Sequence, residues 1–144
     1  MKQAERWLII AHSFNVDGRA ASLTVTDKIP ALLKAGIDIT IISAATGEAD
    51  RRFPHYQRMP WGPSGIRFDL RHIMLRNYGR GLRYRLATLI VSTLLAPLIV
   101  IERLLFGLSN HASWAIPAAL TGLRLARAGK IDLVYSTGGA ASAH

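Results

Sequence analysis

Two stretches carry residue types suited to holding a ligand rather than filling a core. One is Ser136-Thr137-Gly138-Gly139, with His144 shortly after; the other is the loop His12 to Arg19, which holds Asn15, Asp17, Gly18 and Arg19. Each follows an apolar run that reads as a buried strand, Ile131 to Tyr135 and Arg6 to Ala11. At the carboxyl end of a parallel strand such residues meet phosphates or sugar hydroxyls, because glycine admits close backbone approach and a following helix adds its dipole. The first loop has one glycine where the dinucleotide turn G-x-G-x-x-G needs three, and no Walker lysine follows. By spacing alone an ordinary polar connection fits that loop slightly better than a binding loop. For residues 136–139 the alternative is a tight turn into a helix. His144 is either a ligand-facing imidazole or simply the last residue.

Groups for bond-breaking chemistry do not assemble from spacing. His12, His55, His72, His111 and His144 lack metal-ligand spacing, and no carboxylates stand as a glycosidase pair. No metal is expected, and catalytic residues stay unassigned. The absence of cysteine excludes disulfides and thiolate metal sites and fits a reducing compartment. The apolar run Trp7 to Ala11 is too brief for a secretory signal, so a cytosolic N-terminus is expected.

The charge of +9 is unevenly spread. Residues 1–50 carry five basic and six acidic side chains, whereas residues 51–144 carry thirteen and three. Nine arginines lie between Arg51 and Arg85 against one acid, Asp69, and the planar guanidinium favours oxyanions such as phosphate. Arg76, Arg80, Arg83 and Arg85 directly precede Leu86 to Ile101, sixteen uncharged residues interrupted by Thr88, Ser92, Thr93 and Pro97. Arginines before an apolar helix match an interfacial anchor on an anionic membrane, and Trp61, Tyr78 and Tyr84 suit the same boundary. A solvated basic face and a core helix are the alternatives. Sixteen helical residues reach ~24 Å, short of the ~30 Å hydrocarbon core, and Pro97 would kink them.

The elements that position these groups follow from period and punctuation. Ala20 to Ala35 reads as a helix closed by Gly36, kinked or restarted at Pro30. Ile37 to Ser43 is the clearest strand, completing a right-handed βαβ unit with the first. A third strand is expected near Gln57 to Met59, a turn at Trp61 to Gly65, a short helix from Asp69 to Asn77, and a further helix from Trp114 to Ala128 ended by Gly129. The expected fold is α/β: an incomplete Rossmann-like parallel sheet flanked by helices, with a long apolar helix after an Arg-rich segment. Strands one and four should be neighbours, bringing their loops to one cleft.

In chain order, Gly18-Arg19-Ala20-Ala21-Ser22, Ser43-Ala44-Ala45-Thr46-Gly47 and Asp132-Leu133-Val134-Tyr135-Ser136-Thr137-Gly138-Gly139 resemble the N-terminal domain of glycosyltransferase family 4. The resemblance implies two Rossmann-like domains facing across a cleft, the first mostly receiving the acceptor and the second the nucleotide sugar. Asn15 to Arg19 would be the glycine-containing loop near donor phosphates and acceptor, and Ser136 to Gly139 the cleft-lining loop after the fourth strand. The nucleotide sugar is then a substrate, and no cofactor is implied. The family's two glutamates separated by seven residues have no counterpart, and the loop that often supplies an active-site histidine would lie beyond His144. Residues 1–144 are therefore expected to be a partial N-terminal domain, inactive alone, with a membrane-facing insertion at about 51–107 and the donor-binding domain absent. The implied activity is retaining hexosyl transfer at the cytosolic membrane face, onto a lipid-linked or envelope saccharide. The competing expectation is a basic α/β module that binds a membrane or nucleic acid without catalysis. No RNA-binding motif accompanies the arginines, so nucleic acid is the less favoured partner.

Overall fold

The apolar runs of the sequence become the central strands of the computed structural model, which describes residues 4–16, 20–106, 112–129 and 131–137. β1 (Arg6–Ala11) and β2 (Asp38–Ala44) pair in parallel from Arg6↔Asp38 to Ala11↔Ser43. Both faces of such a pair are covered, so Leu8, Ile9, Ile39, Ile41 and Ile42 are all buried without alternation. β3 (His55–Arg58) adds outside β2 and β4 (Leu133–Ser136) beside β1, giving the all-parallel order β3-β2-β1-β4. Crossovers are obligatory between parallel strands. Helices α1 (Ala20–Thr26) and α2 (Ile29–Lys34) join β1 to β2. Helices α3 (Pro63–Tyr78), α4 (Leu82–Phe106) and α5 (Ala115–Arg127), with a 3₁₀ turn at Ala112–Trp114, join β3 to β4. This is the α/β, incomplete Rossmann-like arrangement expected from the sequence.

Local chemistry sets the boundaries. Pro30 splits the expected single helix, because the ring is tolerated in the first turn of α2, where its missing N–H has no intrahelical acceptor. Gly36 ends that helix at φ 74°, a conformation that disfavours residues with a Cβ. α3 begins at Pro63 rather than Asp69 for the reason α2 begins near Pro30, with Gly62 extended before it. β3 starts at His55, two residues ahead of the expected Gln57.

One face of the sheet packs Ile9, Phe14, Val25, Ile29, Ile39, Ile41 and Phe53; the other packs Leu8, Ile42, Ala44, Trp114 and Ala118. Trp114 is fully buried, and its indole N–H donates to the Arg58 carbonyl at 3.1 Å, tying the 3₁₀ turn to the end of β3.

α4 departs from expectation in length. It runs 25 residues, ~37 Å, because Leu82 to Arg85 and Glu102 to Phe106 continue the helix beyond the uncharged run. By length and composition it could cross a membrane. α3 and α4 pack along one another, and the residues of α4 turned inward are Tyr84, Ala87, Thr88, Val91, Ser92, Leu95, Ile99 and Glu102. Those turned outward include Leu82, Leu86, Leu89, Ile90, Leu94, Leu98, Val100, Ile101, Leu104 and Leu105, all at least half exposed. Thr88, Ser92 and Glu102 turn toward the protein, whereas Thr93 and every leucine of the helix except Leu95 are exposed.

Candidate functional site at the carboxyl edge of the sheet

Leaving β1, the chain first builds toward β2 and β3 on one side and later adds β4 on the other, so the topological switch point lies between β1 and β4. Ligands of open α/β sheets bind outside the carboxyl ends of the strands at that point. The two loops with ligand-type residues leave these neighbouring strands, as expected. The Thr137 N–H donates to the Ile10 carbonyl at 3.1 Å, extending the β1–β4 ladder to the last described residue, and Thr137 is buried. Ser136 pairs with Ile10 in register. Asp17, Gly18, Arg19, Gly138, Gly139 and His144 lie outside the described residues.

Asn15 is committed to holding loops together. Its φ of 53° is left-handed, a conformation asparagine tolerates better than most residues. Its side-chain amide donates to the Glu48 carbonyl at 3.2 Å, and its own carbonyl accepts from the Glu48 N–H at 3.3 Å. The next amide, Val16, donates to the buried Ser22 hydroxyl at 2.8 Å, fastening the loop to the first turn of α1. Gly47 lies at the same crossing. Its carbonyl accepts from Gln57 Nε2 at 2.8 Å and Arg76 Nη1 at 2.6 Å, and a Cβ there would strike the backbone oxygens of Phe14 and Asn15. Gly47→Ala should therefore cost ~1–3 kcal/mol, the usual scale of overpacking. A urea midpoint equal to wild type would show that the two loops can part without loss.

Beside this crossing the structure gathers groups that their sequence separation conceals. His12, buried at the end of β1, meets Trp114 edge-on at 5.1 Å and Phe68 at 6.2 Å, and Phe68 lies 4.4 Å from His72. This row of rings runs from the sheet edge onto α3. Asp69, also on α3, is fully buried. The Ala45 amide compensates it in part, but neither carboxylate oxygen meets a hydrogen bond of ordinary geometry. Burial accordingly pushes its pKa up to about 7. The hydroxyls of Thr46, Ser64 and Ser113 are likewise buried without hydrogen-bond partners among the described residues. Glu102 of α4 is buried too, and its carboxylate accepts from the Ser64 N–H at 2.9 Å, capping an α3 N-terminus that lacks a side-chain cap of its own.

One contact resembles a nucleophile pair and is not one. Ser43 Oγ lies 2.8 Å from His55 Nε2. His55 Nδ1 accepts from the Asp50 amide at 3.0 Å, so a neutral ring carries its proton on Nε2. The Ser43 hydroxyl donates instead to the Ala44 carbonyl at 2.9 Å. The imidazole therefore donates to the serine and cannot take its proton, and Ser43 is fully buried. Burial also lowers the His55 pKa, against the opposing charge of Asp50, which favours this neutral form.

Among the described residues the ion pairs are Arg6–Asp132 and Arg52–Asp50. The first closes the amino ends of β1 and β4, opposite the candidate site, and the Arg6 hydrogen bonds hold Asp132 down to about 2. None of Arg67, Arg71, Arg76, Arg80, Arg83 and Arg85 has a carboxylate partner among the described residues, and of the arginines singled out in sequence, Arg76, Arg80, Arg83 and Arg85 are all exposed. No three of His, Asp and Glu cluster for a metal among the described residues. Comparison with family models, curated proteins and solved structures finds no match for this chain.

Proposed function

We propose that this chain is the acceptor-side, Rossmann-like part of a nucleotide-sugar-dependent, retaining glycosyltransferase. It works peripherally at the cytosolic membrane face, on a lipid-linked or envelope saccharide, with the nucleotide sugar as substrate. The observation that carries this reading is the β1–β4 switch point, where both loops with ligand-type residues leave adjacent strands. The outer edge of β4 adds support, since Leu133 and Val134 leave apolar surface open there.

The membrane assignment rests on α4. A helix with seven of its eight leucines exposed and with Thr88, Ser92 and Glu102 turned inward suits a lipid environment better than water. Both ends of α4 are tied to α3: Tyr84 Oη accepts from Arg71 Nε at 3.0 Å near one end, and Glu102 accepts from Ser64 near the other. Crossing the bilayer would draw α3, with Arg67, Asp69, Arg71, His72 and Arg76, into hydrocarbon at a cost of several kcal/mol. These ties favour α4 lying in the plane of one leaflet. A second reading, an anionic-membrane-binding module without catalysis, is favoured by the exposed arginines Arg76, Arg80, Arg83 and Arg85 beside the exposed apolar face of α4.

Transfer is tested with the complete open reading frame that contains residues 1–144, incubated with membranes and a panel of radiolabelled nucleotide sugars. Label should enter the lipid or polymer fraction, and Gly18→Val or Gly139→Val should abolish this while circular dichroism stays unchanged. Full activity in both variants, or no transfer from any donor, overturns the transferase reading and leaves the binding module.

A further inference from the structure

Between α3 and α4 runs a cleft of about 310 Å³, lined by Phe68, Arg71, His72, Leu75 and Tyr84, within the size range of small-ligand sites. The exposed Arg71 donates from Nε to the Tyr84 hydroxyl, which fixes the plane of its guanidinium. No carboxylate neutralises Arg71 among the described residues, and Arg80 lies within electrostatic range of the same phenol. His72 Nδ1 donates to the Phe68 carbonyl at 2.9 Å, which orients the ring. Tyr84 lies on the first turn of α4, beside Leu82 and Leu86 of its outward apolar face. An oriented, unneutralised cation thus stands next to the surface assigned above to lipid.

We propose that this cleft binds the terminal phosphate monoester of a membrane lipid whose chains lie along α4. The inference rests on the reading of α4 as embedded in a leaflet. With Nε held by Tyr84, the remaining N–H groups of Arg71 form a fork that matches two phosphate oxygens. A monoester presents three oxygens and close to two charges near neutral pH, whereas a diester presents one charge and fewer free oxygens. The cleft therefore selects the monoester, and Phe68 and Leu75 flank the apolar part of the ligand.

The test is flotation of the full chain with phosphatidylcholine vesicles containing either phosphatidic acid or phosphatidylglycerol, matched for surface potential. Wild type should bind the phosphatidic acid vesicles about tenfold better, the effect of one charge-assisted hydrogen bond. Tyr84→Phe should remove that preference while keeping the weaker binding to phosphatidylglycerol, and Arg71→Gln should remove it while weakening binding to both vesicles by about fivefold, the effect of one lost charge. Binding without preference, or a preference that survives in both variants, overturns the cleft and leaves the membrane reading standing. Binding to neither vesicle overturns both. Soluble glycerol 3-phosphate at equal head-group concentration should not displace the protein; full displacement would overturn a lipid as the source of the phosphate.

Discussion

Replacing Leu89, Leu94, Leu98 and Ile101 together with serine should release the protein from anionic vesicles without unfolding it. All four lie on the outward face of α4 and are 51–69 % exposed, so the protein interior loses little when they are shortened. Full burial of such a side chain contributes about 1.5–3 kcal/mol, and the half still exposed in water leaves on the order of 1 kcal/mol each to be gained in acyl chains. Four such losses amount to about 4 kcal/mol, roughly a thousandfold in partitioning. Changing Arg76, Arg80, Arg83 and Arg85 to glutamine should act differently, weakening attraction to anionic membranes by ~1 kcal/mol per charge. Salt should shrink that second effect and leave the first nearly untouched. Flotation at low and high salt separates the two contributions. Unchanged binding of the serine variant, with an unchanged circular dichroism spectrum, would remove α4 from the membrane.

The sheet was legible in sequence because its strands announce themselves. β1 and β2 are continuous Ile- and Leu-containing runs bounded by turn residues, and buried parallel strands have no other pattern to show. Pro30 and Gly36 marked a break and an end through backbone constraints that act without tertiary help. The uncharged run understates the length of α4 because charged residues at both ends continue the helix. Arg83 and Arg85 stay in the first turn as exposed residues, and Glu102 is buried yet stabilised by the α3 N-terminus, a partner 38 residues away in sequence. Distance in sequence hid the rest of the site as well. His12, Phe68, His72 and Trp114 become neighbours only when α3 and the 3₁₀ turn close over the sheet edge. Asparagine at position 15 suits its place in the loop through the same properties that make it a candidate ligand in sequence: its amide bonds well, and it tolerates φ > 0.

Asp69 should make the protein less stable as pH rises from about 4 to about 7. Its carboxyl titrates near the ordinary value of 3.8 in the unfolded chain and near 7 in the native state, where burial disfavours the charge. Across that window the native state holds a proton that the unfolded state has released. The stabilisation is complete below the unfolded value and is gone once pH passes the native one, a change on the order of 2–4 kcal/mol after allowing for water reaching the site. His55 works in the opposite direction. Its native pKa lies below the ordinary 6.5, so its contribution is present above that value and is lost as pH falls through the native one. Wild type therefore carries two opposed slopes, and Asp69→Asn removes only the first, because asparagine keeps the shape and neutrality of the protonated acid at every pH. Urea midpoints at pH 4, 5.5 and 8 should show the variant close to wild type at pH 4 and clearly more stable at pH 8. Any fixed cost of the amide itself appears at pH 4 and can be subtracted. Parallel profiles for the two proteins would mean that Asp69 ionises normally. The predicted divergence would instead establish a carboxyl poised to exchange a proton near neutral pH, beside the loop after β2 at the sheet edge that carries the candidate site.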